Sequence, residues 1–200
     1  ILSIALLAAG TGLALLISNG EEISMYQYKV ITALGNGHVL GIPAPVVISV
    51  VVLIVTFVVL RYTGYGRRIY AVGGNLEMSR LAGVNVVAVK ISAFALAGAM
   101  SALAGIVEVG RLTSASPLTD ANLGLTAAAA VLLGGTSFRG GKGSVIGTLF
   151  GVLFLGVLAN GLIIASISIY WQGIITGLVL AASISIDRYR NRTDSVGMPG

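Results

Sequence analysis

The sequence predicts an all-helical, polytopic membrane protein with about six transmembrane segments, from its composition, the length of its apolar runs and the placement of its cations. Of 200 residues, 56% are hydrophobic and 10% charged. With a mean hydropathy of +0.98, too little polar surface remains to solvate a water-soluble globule of this size. Ten of the twelve Lys and Arg residues lie in three places: the stretch Arg61 to Lys90, the loop around Arg139 and Lys142, and the tail Arg188 to Arg192. If each intervening apolar run crosses a bilayer, all three fall on one side, and only Lys29 and Arg111 face the other. That is the positive-inside bias of an inner or plasma membrane protein, here with a cytoplasmic C-terminus.

A formal charge of +5 would suggest nucleic acid in a soluble protein. These cations border apolar runs without interleaved aromatics, so the expected partner is the anionic lipid of the cytoplasmic leaflet and not nucleic acid. Cysteine is absent, which removes disulfides, thiolate nucleophiles and zinc ribbons from consideration. The chain begins at Ile1 inside an apolar run, with no initiator Met or basic region ahead of it, and we expect further spans on its N-terminal side. It reads as a single transmembrane domain over 1–190, with a cytoplasmic loop over 61–90 and a cytoplasmic tail over 191–200.

Six runs can be drawn. Leu2 to Ile17 is the first, followed by an outer loop, Ser18 to Ile42, that carries Glu21, Glu22, Lys29 and His38. Ala44 to Leu60 is the second; Pro43 and Pro45 at its start cost nothing where helical N–H groups lack partners anyway. Its length of about 25 Å suits a thin or slightly compressed bilayer core of roughly 30 Å. Val86 to Val109 is the third. The fourth, roughly Ala121 to Leu133, is short and Ala-rich, and reads as a partial or tilted span. Val145 to Ala165 and Ile169 to Ile186 complete the set. Without a crossing by the fourth run, the later loops would swap sides and the charge bias would collapse, so parity requires the chain to traverse there.

Glycine is abundant at 28 residues. Gly147 and Gly151 stand four apart in one run, and Gly173 and Gly177 in another. Such small-xxx-small faces bring helix backbones close, either within the chain or between subunits. Among polar groups near the spans, Glu108 and Arg111 stand at i and i+3 and can pair across a turn, or meet a substrate or partner at the outer end. Asn160 needs a hydrogen-bonding partner in lipid; with Gln172 it flanks the turn between the last two runs. Either an interhelical bond or the lining of a polar pathway satisfies it. Glu108, Asn160 and Gln172 are therefore the candidate pathway-lining residues.

No paired carboxylates, catalytic triad or HExxH motif is present, and lone His38 has no second metal ligand at a suitable spacing. The run Gly134 to Gly143 superficially resembles a P-loop. It fails because Thr136 stands where the first glycine belongs and Gly143 replaces the magnesium-binding Ser or Thr. The absence of mid-span Asp, Glu or His argues against a proton-coupled carrier, and a sodium-coupled one is weakened but not excluded. Energy supplied by another polypeptide is the attractive option.

The loop 61–90 contains the most patterned polar segment. Gly73-Gly74-Asn75 breaks the chain, Asn75 can cap a helix, Glu77 falls in its first turn, Arg80 in its last, and Gly83 stops it. This predicts a short cytoplasmic helix from about Leu76 to Ala82. Met78, Leu81 and Ala82 share one face, which needs the membrane underside or another protein to cover it.

The runs GRRIYAVGGNLEMSRLAGVNVVAVK, LAGIVEVGRLTSASP, AAAAVLLGGTSFRGGKGSVIGTLFGVLFLGVLANGL and YWQGIITGLVLA together resemble the permease subunits of ribose, xylose and galactose ABC importers, within the wider sugar and branched-chain amino-acid permease family. The resemblance extends from about Pro43 to Arg190. It implies a type II-like importer permease fold: two permease subunits, as a homo- or heterodimer, form the pathway, two ATPase subunits power it, and an extracytoplasmic binding protein delivers the sugar. ATP and magnesium would sit on the ATPase, and this chain would bind no cofactor. The family's coupling helix maps onto Gly73 to Asn85. Many relatives carry Glu-Leu-Asp where this chain has Gly124-Leu125-Thr126, so any role of those acidic side chains does not carry over.

The expected function is thus a non-catalytic permease subunit translocating a simple sugar across the cytoplasmic membrane. The alternative is a secondary carrier or channel for a small polar solute, for which flux through the purified chain without an ATPase is the distinguishing observation. An intramembrane enzyme is disfavoured by the missing nucleophile and metal ligands. The predicted orientation has a direct check: a membrane-impermeant reagent applied to intact cells should leave the segment around residue 80 unmodified, and labelling there from outside would reverse the topology.

Overall fold

Lipid offers a backbone no hydrogen-bonding partners, so a spanning segment must satisfy its own N–H and C=O groups, and the helix does so within one segment. This constraint overrides local propensity in Ala44–Tyr62, where ten of nineteen residues are Val or Ile. Such residues favour strands in water. In the computed structural model this stretch is nevertheless one continuous helix. The structure describes residues 2–117, 123–137, 140–167, 171, 173–175, 177–179 and 181. Its helices in chain order are α1 (Leu2–Ser18), α2 (Lys29–Asn36), α3 (Ala44–Tyr62), α4 (Gly64–Gly74), α5 (Leu76–Leu81), α6 (Val86–Leu112), α7 (Leu123–Leu133) and α8 (Val145–Ile164). Four two-residue strands accompany them: β1 (Ile23–Ser24), β2 (His38–Val39), β3 (Ile42–Pro43) and β4 (Ser114–Ala115).

The fold is that of a polytopic helical membrane protein. Among the described residues α3, α6 and α8 are long and apolar enough to cross a membrane, and only 6%, 11% and 11% of their most apolar windows is buried inside the chain. Lipid or other subunits must cover the rest. At 27 residues, α6 reaches about 40 Å, so it tilts or projects beyond a core of about 30 Å.

The contacts group into two compact units, 1–55 with 91–121, and 56–90 with 122–200. In the first, the segment expected to be an outer loop holds α2 and two antiparallel pairings. Ile23 pairs with Ala115 and Ser24 with Ser114; His38 pairs with Pro43 and Val39 with Ile42. Gly35 lies against the backbone of Gly110 and Arg111. The Asn36 Nδ2 donates to the Gly110 carbonyl at 3.0 Å and the Arg111 carbonyl at 3.3 Å, supplying donors to carbonyls that the end of α6 leaves free. Helix α2 escaped notice in the sequence because it spans only eight residues, too few for its period to stand out from a polar loop.

In the second unit, one further departure from expectation appears. The chain does not break at Gly73-Gly74. Helix α4 runs through both glycines and stops at Asn75, whose N–H still reaches the Ala71 carbonyl at 3.0 Å. The Ala-rich run forms α7, whose eleven residues cover about 16 Å, or half of a bilayer core. As expected, the helix alone is too short for a full crossing; residues 118–122 before it lie outside the described residues.

Helices α7 and α8 pack backbone to backbone. Gly147 lies against the Gly134 carbonyl and Gly151 against the Ala130 carbonyl, burying Ala129, Ala130 and Leu155 with Val179 beside them. α7 closes through a C-terminal motif in which Gly135, at φ +84°, donates to the Leu132 carbonyl at 2.8 Å and Thr136 to Val131 at 3.2 Å, using the left-handed conformation that glycine adopts without strain. Gly173 and Gly177 differ: a Cβ on either meets nothing within 4 Å, so the expected packing face there is not used among the described residues.

The close approach at Gly147 predicts a large asymmetry. Gly147→Leu should destabilise the detergent-purified chain by about 3 kcal/mol, at the upper end of overpacking costs. Gly156→Leu, at a position where a Cβ meets nothing within 4 Å, should stay within about 0.5 kcal/mol. Equal thermal stability of the two variants would count against the packing.

Candidate functional site

The site is built from the basic loop 61–90 and the turn that joins α7 to α8, both in the second unit. Thr63 starts α4, its Oγ1 accepting from the Gly66 N–H at 3.3 Å. Gly66 lies so close to the Leu60 carbonyl that a side chain would not fit, which lets α4 start with a single residue, Thr63, between it and the end of α3. Along α4, Ile69 and Val72 face inward, where Val72 packs with Val86 and Val89 at the start of α6.

Asn75 serves two helices. Its N–H closes α4, and its Oδ1 accepts from the N–H groups of Glu77 at 3.1 Å and Met78 at 3.0 Å, capping α5 in extended backbone geometry. Ser79, only 4% exposed, donates from Oγ to the Asn75 carbonyl at 2.7 Å. That buried side fixes which face of α5 turns outward. Gly83, at φ +76°, ends α5 by donating to Arg80 while Val84 donates to Ser79, both at 3.0 Å. Asn85 then caps α6 through its Oδ1, which accepts from Ala88 at 3.0 Å.

The outcome is a six-residue helix, rigidly capped at both ends, with its apolar face unpaired. Met78 is 61% exposed and Leu81 78%; Glu77, Arg80 and Ala82 are exposed beside them. Burying a side chain such as Leu81 or Met78 is worth about 1.5–3 kcal/mol. This arrangement suits contact with a partner surface. No cluster of metal-ligating side chains exists among the described residues.

Behind α5, the α7–α8 turn meets the end of α4. Gly140 and Gly141, at φ +86° and +74°, lie against the backbone of Gly73 and Gly74, and the Tyr70 hydroxyl donates to the Gly143 carbonyl at 3.2 Å. The turn also closes on itself, with the Ser137 N–H bonded to the Lys142 carbonyl at 3.0 Å and the Gly140 N–H to Ser137 at 3.1 Å. Sequence reasoning missed Tyr70, Ser79, Gly140 and Gly141 as parts of this site. The positive-φ glycines were legible as a turn, but nothing local says which backbone they touch.

The remaining sequence candidates lie elsewhere. Arg111 pairs with Glu108 at 3.2 Å, with side chains 61% and 40% exposed, an ion pair worth roughly 0–1 kcal/mol. Asn160 is exposed on α8, and the expected interhelical bond is not formed among the described residues. Gln172 lies outside them.

Comparison with known proteins identifies the family. The model of the branched-chain amino acid transport system / permease component family matches residues 1–184. This chain belongs to that family. It is 38% identical over 195 residues to the ribose import permease protein RbsC of Bacillus subtilis, covering 96% of this chain and 60% of that protein. It is 46% identical over 153 residues to RbsC of Escherichia coli K12, covering 76% and 48%, and 39% identical over 181 residues to the L-arabinose transport system permease protein AraH of the same organism, covering 90% and 55%. The chain thus spans about half to three-fifths of the length of these relatives. No solved structure matches.

Capping by Asn75 predicts that Asn75→Ala will cost about 1 kcal/mol of local helix stability. Hydrogen–deuterium exchange of the segment 76–83 should accelerate accordingly, and Asn75→Asp should keep most of the protection. Unchanged exchange in the alanine variant would remove the cap from the account.

Proposed function

We propose that this chain is part of a membrane-spanning permease subunit of an ATP-binding cassette importer that moves a simple sugar across the cytoplasmic (inner or plasma) membrane. Family membership supports the transporter class, and the names of its relatives point to pentoses such as ribose and arabinose within the wider ribose, xylose and galactose group. The observation that carries the mechanism is the outward apolar face of α5, set in a strongly basic loop. The positive-inside bias puts that loop in the cytoplasm, where an ATPase subunit can reach it. Met78, Leu81 and Ala82 supply the apolar contact, and Glu77 and Arg80 orient it by charge. The segment Gly73, Gly74, Asn75, Gly83 and Asn85 holds the helix at a fixed pitch.

In this reading the permease makes and breaks no covalent bond. ATP and magnesium are held by the partner ATPase, whose closure pushes α5. The permease responds by alternating between outward and inward openings around the sugar delivered by an extracytoplasmic binding protein. A second permease subunit completes the pathway, and the long apolar faces of α3, α6 and α8 are available to it and to lipid.

A charge at the centre of the contact tests the assignment. Leu81→Glu in the complete importer, reconstituted in vesicles, should lower ATP-driven sugar uptake at least about tenfold, because about 1.4 kcal/mol suffices for that factor and a single buried leucine carries more. Unchanged uptake would reject α5 as the docking element. Sugar flux through the complete permease without any ATPase would instead favour a self-powered carrier or channel.

A further inference from the structure

Gly73 is the last-but-one residue of α4, a position where alanine would support the helix better by about 1 kcal/mol. The reason for glycine is steric. A Cβ at Gly73 would stand 2.6 Å from the backbone N of Gly141. The approach is reciprocal: a Cβ at Gly140 would lie 2.8 Å from the Gly73 carbonyl oxygen, and one at Gly141 would lie 2.5 Å from the Gly74 Cα. The Tyr70–Gly143 hydrogen bond closes the same junction from one turn earlier in α4.

Both sides of the junction lead to stiff elements. On one side, Asn75 joins α4 to α5 through the bonds that end one helix and cap the next. On the other, Ser144 follows Gly143 directly and caps α8, its Oγ accepting from the Gly147 N–H at 3.2 Å. Gly147 in turn lies on Gly134 at the end of α7. A side-chain contact can absorb displacement by changing rotamer. Touching backbones have no such freedom, so the end of α4 and the α7–α8 turn must move together.

We infer that Gly73, Gly141 and Tyr70 are positioning residues for transport: they form a backbone latch that carries displacement of α5 into the α7–α8 pair. The latch rests on the reading of α5 as the ATPase contact. Its readout is the amount of sugar moved per ATP hydrolysed by the complete importer in vesicles, a ratio independent of how much complex assembles.

Gly73→Ala should lower that ratio at least about fivefold and Tyr70→Phe about two- to threefold, within the range by which residues in a coupling network act. Gly64→Ala, in the same helix but meeting only the end of the Arg67 side chain at 3.7 Å, should leave it unchanged. A Gly73→Ala ratio equal to that of Gly64→Ala would overturn the latch. Should Gly73→Ala fail to assemble, Tyr70→Phe decides, and an unchanged ratio there overturns it equally. Leu81→Glu run in parallel separates the two ideas. If it loses coupling while Gly73→Ala and Tyr70→Phe keep it, the latch alone falls; if it retains coupling, the docking assignment falls.

Discussion

Everything in this chain follows from how helices hold together where the solvent is as apolar as their side chains. Between two leucine-covered helices in lipid there is little net hydrophobic gain, so association depends on close packing of the backbones themselves. The chain meets that requirement with glycine. Gly134 meets Gly147, Gly151 meets the Ala130 carbonyl, Gly35 meets Gly110, and Gly73 meets Gly141. A Cβ at any of these glycines would force its neighbour away, whereas several other glycines in the spans, among them Gly98, Gly105, Gly156 and Gly161, face open space.

Polar side chains have a complementary task. Each helix end leaves backbone groups without partners, and the short, closely spaced helices of the basic loop multiply the number of ends. Asn75 answers this by closing α4 and opening α5, Ser79 ties α5 back to Asn75, and Asn85 opens α6. A six-residue helix has little stability of its own. Its order is imposed by caps and by one buried serine, and this leaves its apolar face exposed.

The functional consequence is a division of labour. Long apolar helices provide the membrane body, and the basic loop provides a small rigid surface. A glycine-lined turn lies between that surface and the α7–α8 pair.

Much of this was legible from the residues. Apolar runs located α1, α3, α6 and α8 because lipid leaves a spanning segment few alternatives to a helix, even where Val and Ile dominate. The cap logic of Asn75, Glu77, Arg80 and Gly83 located α5 because capping is a local interaction between residues a few positions apart. The spacing of Gly147 and Gly151 marked a packing face, but the same spacing at Gly173 and Gly177 finds no neighbour within reach among the described residues, since spacing describes one helix and packing needs two. Helix α4 was hidden because its glycines read as breakers, and they are tolerated because Gly73 must accept another backbone. What the sequence determined was the membrane class, the long apolar helices α3, α6 and α8 and the capped helix, all set by composition and short-range bonding; the last predicted run, Ile169 to Ile186, lies mostly outside the described residues. Only the tertiary structure decided which glycines touch and that Gly141 rests on α4, because a residue without a side chain carries no signal of the partner it makes room for.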